Sequence, residues 1–124
     1  MANQPLTGLA RLNAALKNSS QGVRDIWRGE EAFRIEVLLL AVSVPFAVWL
    51  GETMFQTAIL IGVVLLLIIV EIVNSAIEAV VDRIGPERHE LSRIAKDLGS
   101  LAVLVAILLV GLLWVAALWD RLVG

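Results

Sequence analysis

Two kinds of hydrophobic pattern run along this chain. Residues 1–36 are polar and charged, yet within them Leu9, Leu12, Leu16, Val23 and Trp27 fall within about 60° of one another at helical spacing. That predicts an amphipathic helix over 1–32 lying on a membrane surface, with Lys17, Arg24 and Arg28 flanking the apolar stripe. The second pattern is continuous. Three uncharged runs cover 37–51, 53–70 and 98–119. A helix crossing a bilayer needs roughly 17 to 25 apolar residues. Extended to their flanking residues, the runs predict three transmembrane helices over about 33–51, 53–81 and 91–120. Pro45 predicts a kink in the first, and Pro86 suits the opening turn of the helix that follows Gly85.

Composition supports that reading. The chain has 124 residues, a single domain by length, of which 59% are hydrophobic and 18% charged. A soluble domain is about 45–50% apolar, and so short a chain has too little interior to hide the excess. A water-soluble monomer is excluded. Residues 1–36 hold no apolar stretch of the kind a cleaved leader carries, so the spans are expected to remain in the mature protein. With no cysteine and one histidine, disulfides, thiolate metal sites, cysteine nucleophiles and multi-histidine metal sites within one chain are all excluded.

Charge placement predicts the orientation. Arg11, Lys17, Arg24, Arg28 and Arg34 precede the first span, and Arg83, Arg88, Arg93 and Lys96 lie between the second and third. Only Arg121 falls on the other side. The positive-inside rule therefore puts the N-terminus and the second loop in the cytoplasm. Trp27 then lies at the cytoplasmic interface, with Trp49, Trp114 and Trp119 towards the opposite one. No nucleic-acid partner is expected.

The candidate chemistry sits at the cytoplasmic end of the second span. Glu71, Asn74, Ser75, Glu78 and Asp82 project within about 100° of one another on a helix otherwise made of Ile, Val and Ala. Ionisable groups at membrane depth are costly and point to function. A solvated helix end explains Asp82 well and Glu71 poorly. Glu71 and Glu78 are about 10.5 Å apart along the axis, too far to share one metal but suited to two roles in one site. Glu30, Glu31, Arg34 and Glu36 gather before the first span. Lys96, Asp97 and Ser100 open the third, Lys96 and Ser100 on one face. Carboxylates, a divalent cation such as Mg²⁺ and basic side chains are the components of phosphoryl transfer. No P-loop and no glycine-rich kinase loop is present, and His89 reads most simply as a solvated loop residue. Three helices cannot shield such a stripe from lipid alone, so an oligomer with sites near its subunit interfaces is expected.

The run from Val70 to Gly85, Val-Glu-Ile-Val-Asn-Ser-Ala-Ile-Glu-Ala-Val-Val-Asp-Arg-Ile-Gly, resembles the signature of the bacterial integral-membrane diacylglycerol kinases. Trp27-x-x-Glu30-x-Ala-Phe-Arg34, His89-Glu-Leu and Ala95-Lys-Asp-Leu-Gly-Ser100 agree with it, so the resemblance covers essentially the whole chain. It implies an all-α homotrimeric bundle of three-span subunits in the bacterial inner membrane, moving the γ-phosphate of MgATP to diacylglycerol. Glu71 would be the general base, and Asn74 would position the reacting groups. Glu30 and Glu78 would hold Mg²⁺ and, with Arg11, Asn18, Glu87, Arg88, His89, Lys96 and Asp97, the nucleotide. Ala32, Phe33, Arg34, Ile35, Glu36 and Ser100, together with Arg24, Trp49, Glu71 and Trp114, would contact lipid. Arg88 and Asn18 stand where aromatic residues are expected in Gram-negative members.

Two readings compete with this one. A polyprenol kinase such as an undecaprenol kinase would share the carboxylates and differ in the lipid. A small ion-coupled transporter would need carboxylates near mid-bilayer, whereas here they crowd the cytoplasmic edge.

Overall fold

A few side chains and one glycine set the helix ends. The structure, a computed structural model, describes residues 5–124 as four helices: α1 (Gly8–Gly29), α2 (Glu31–Leu50), α3 (Met54–Ile84) and α4 (Glu90–Val123). The surface helix expected over 1–32 is thus shorter at both ends, and residues 1–4 lie outside the described part. It stops at Glu30, whose backbone is extended (φ −124°, ψ 106°). The Arg34 guanidinium donates to the Trp27 and Arg28 carbonyls at 2.6 and 3.4 Å, filling acceptors left open at the end of α1. Trp27 meets Phe33 edge to face with ring centroids 6.3 Å apart. This corner lets α2 restart at Glu31, two residues earlier than expected. α2 then runs through Pro45 without a break.

The Thr53 hydroxyl caps α3 by accepting the Gln56 N–H at 3.1 Å. At the other end Gly85 (φ 148°) adopts a backbone conformation that side chains disfavour, and the helix stops. Pro86 is not in the opening turn of α4 as expected. His89 takes over that boundary, its Nδ1 accepting the Leu91 N–H at 3.1 Å, and Glu90 complements the helix dipole in the first turn. The 31 residues of α3 and 34 of α4 span about 46 and 51 Å, well beyond the roughly 30 Å of a hydrocarbon core. Counted from Met54, a bilayer-length stretch of about 20 residues ends near Val73, so α3 carries Glu78 and Asp82 beyond the apolar region.

α3 is the central element. α2 and α4 each pack along it and barely touch each other, while α1 leans on the start of α2. Leu60, Val63, Val64, Leu67 and Ile68 of α3 are buried, whereas α4 buries only Gly99 and Ala106. Leu101, Leu104, Leu108, Leu112 and Val115 of α4 remain exposed. α2, α3 and α4 are each long and apolar enough to cross a membrane. This is a membrane protein built of helices.

Candidate active site

The polar stripe of α3 turns inward. Glu71 and Asn74 are buried, and Glu36 of α2 is buried with them. Glu30 and Glu78 lie near enough for their charges to act on Glu71, and Glu71 near enough for its charge to act on Glu36. Asn74 Nδ2 donates to Glu78 Oε1 at 3.3 Å, coupling two successive turns of α3. Among the described residues, three buried side-chain atoms have no hydrogen-bond partner: Glu36 Oε2, Asn74 Oδ1 and Ser75 Oγ. All three belong to this end of the bundle. Beside them, a cleft of about 520 Å³ opens between α1, the start of α2 and α3, lined by Glu30, Phe33 and Ser75 among others.

The residues on the α3–α4 connection form a second hollow of about 700 Å³. Glu87, Arg88, His89, Lys96 and Asp97 all line it, together with Asp82 and Arg93. Several of its charges are paired. Lys96 Nζ meets Asp82 Oδ1 at 2.6 Å across the two helices. Arg93 bridges Glu90 and, at 2.7 Å, Asp97. Hence five of the residues predicted for nucleotide share one pocket, while Glu30, between α1 and α2, and Glu78 of α3 do not line it. Arg11 and Asn18, exposed on α1, do not line it.

A family model for prokaryotic diacylglycerol kinase matches residues 17–118. The chain is 49% identical over 121 residues to a diacylglycerol kinase of Escherichia coli K12, covering 98% of each chain. It is 46% identical over 108 residues to one from Haemophilus influenzae, covering 87% of this chain and 92% of that one. A diacylglycerol kinase of Pseudomonas aeruginosa is 46% identical over 112 residues, 90% of this chain and 91% of the relative. The chain belongs to the prokaryotic diacylglycerol kinase family. It is a lipid kinase.

Within that family frame, the structure separates several residues that the sequence grouped. Along 32–36, Phe33 and Glu36 point inward while Ala32 and Ile35 are exposed, because successive helical positions turn by 100°. Arg34 is engaged by the end of α1. Arg24 is exposed on α1, and Ser100 is exposed on α4. Trp49 and Trp114 lie at the opposite end of the bundle from Glu71. Trp114 Nε1 donates to the Leu60 carbonyl at 3.1 Å, and the Arg121 guanidinium sits 5.3 Å from the Trp49 ring centre. Leu60 is eleven positions before Glu71, about 16 Å along the axis.

Two features escaped sequence reasoning. Asp82 is the partner of Lys96, a contact between residues fourteen apart that no local spacing announces. Gly99 is buried directly against Asn74. A glycine inside a helix costs roughly 1 kcal/mol relative to alanine, which was the available hint that packing required it.

Oxygen donors of this kind suit a hard divalent cation, and Mg²⁺ is commonly held by one or two carboxylates with the rest of its shell from phosphates and water. Among the described residues no three acidic or histidine side chains converge as a self-sufficient metal site. Glu30 and Glu78, both near enough for their charges to act on Glu71, are oxygen donors of the type such an ion takes.

Proposed function

We propose that this protein transfers the γ-phosphate of MgATP to the primary hydroxyl of 1,2-diacylglycerol, giving phosphatidic acid and ADP. The observation that carries this reading is the burial of Glu71 among Glu30, Glu36 and Glu78 at the end of the central helix. A carboxylate so placed meets a lipid hydroxyl from the bilayer side and phosphate from the aqueous side. Glu71 accepts the hydroxyl proton as that oxygen attacks the γ-phosphorus and the bond to the ADP oxygen breaks. Asn74 holds Glu78 in place through its amide. Glu30 and Glu78 would hold Mg²⁺, which would neutralise charge on the phosphates.

The hollow between α3 and α4 takes the nucleotide in this reading, with Lys96, Arg88 and Arg93 supplying positive charge. The N-terminus lies in the cytoplasm, and α1 rests on the inner-membrane surface through Leu9, Leu12, Leu16, Val23 and Trp27, all exposed in the single chain. Three copies assemble. The exposed apolar side of α4 supplies what association would cover, and trimerisation would bring Arg11 and Asn18 of one chain towards a neighbour's site.

The test offers γ-labelled MgATP to the purified protein in lipid micelles containing either diacylglycerol or undecaprenol, with Glu71→Gln as the blank. Label in phosphatidic acid, missing from the blank, is the expected result. Label in the polyprenol alone would keep the mechanism and replace the substrate. No label in folded, assembled protein would overturn the proposal and favour the transporter.

A further inference from the structure

We propose that Gly99 is a positioning residue, holding the Asn74 carboxamide on Glu78 by offering it a surface without a side chain. This rests on the reading of Asn74 and Glu78 as parts of the active site. A Cβ at position 99 would lie 2.2 Å from Asn74 Oδ1 and 3.2 Å from Asn74 Cγ. The carboxamide therefore occupies the space that any side chain at 99 would take. Backbone freedom does not explain the glycine, since Gly8 and Gly85 are the positive-φ glycines among the described residues and Gly99 is ordinary helix. Helix propensity alone favours alanine there.

Other glycines of the spans give the contrast. A Cβ on Gly62 of α3 or Gly111 of α4 meets nothing within 4 Å. Asn74 has little room to yield. It is 8% exposed, and its short side chain has two torsions. Turning either one moves Nδ2 away from Glu78 Oε1, where it donates at 3.3 Å. Alanine at 99 thus displaces the amide and frees Glu78 without touching nucleotide or lipid itself.

The experiment uses the full-length protein in lipid micelles with saturating diacylglycerol. Turnover, the KM for MgATP and the Mg²⁺ dependence are measured for Gly99→Ala, Asn74→Ala, the double variant and Gly111→Ala. Assembly state and melting are followed in parallel. Gly99→Ala is expected to lose about ten- to a hundredfold in kcat, the scale set by small misplacements of catalytic groups. Its Mg²⁺ dependence shifts in the same direction as that of Asn74→Ala. The double variant is no slower than Asn74→Ala alone, because the second change acts only through the first. Gly111→Ala matches the parent.

Wild-type kinetics in Gly99→Ala, losses that multiply in the double variant, or an equal loss in Gly111→Ala would each overturn the proposal. If Gly99→Ala fails to fold, recovery of folding in the double variant supports the contact, and failure there too rejects it. Full activity in Asn74→Ala removes the reading of the site and this inference with it. An inactive Asn74→Ala beside a normal Gly99→Ala rejects the inference alone.

Discussion

The two ends of the bundle use the same helices in opposite ways. At the far end, Ala47, Leu50 and Leu60 form a buried cluster with Trp114 and Ala117 packed on it. Polar groups there are matched: the Trp114 N–H has the Leu60 carbonyl, Thr53 caps α3, and Arg121 lies over Trp49. At the Glu71 end, Glu36, Asn74 and Ser75 each keep a buried polar atom without a partner. Unpaired buried groups cost about 1–3 kcal/mol each. The difference teaches that the far end holds the helices together, while the Glu71 end holds polar atoms ready for something other than protein.

Removing the acceptor breaks this contrast most sharply. Glu71→Gln keeps size and burial but cannot take a proton, so turnover should fall about a thousandfold while MgATP binding persists. Comparable loss of binding, measured by calorimetry, would move Glu71 to the metal instead. Glu78→Ala should cost about tenfold to a hundredfold in the apparent affinity for Mg²⁺ as well as slowing turnover, in line with the loss of a metal-supporting carboxylate. A titration of activity against Mg²⁺ with the parent's midpoint would count against that role.

The far end answers to stability instead. Leu60→Ala should lower unfolding free energy by about 2 kcal/mol or more through lost packing. The specific activity of the surviving folded protein should stay near the parent's. A chemical denaturation series paired with assays reads both, and a loss of activity in fully folded protein would erase the division between the ends. Smallest of all, Asp82→Asn should leave stability nearly unchanged, because the pair with Lys96 is solvent-exposed. Its larger consequence is a raised KM for MgATP from a less ordered Lys96. An unchanged KM would mean that the pair only joins two helices.

Much of this was legible from local pattern. Uncharged runs announced α2, α3 and α4, and the 100° turn per residue puts Glu71, Asn74 and Glu78 on one face by spacing alone. Periodicity could not find the helix ends. α1 stops at Glu30 because Arg34 and Phe33 reach back to it, and α4 starts at Glu90 because the His89 ring serves as its cap. Each boundary depends on side chains folding back across it, which spacing alone does not encode.

Residue spacing therefore determined which helices form, which of their faces are polar and on which side the basic residues gather, all consequences of short-range geometry and the cost of charge in lipid. Only the tertiary structure decided that the stripe of α3 faces α2 and α4, that Lys96 pairs with Asp82, and that Asn74 rests on Gly99. Those are contacts between helices, set by how closely backbones approach. A glycine reads the same in sequence whether it faces open space, as Gly111 does, or a neighbouring amide, as Gly99 does.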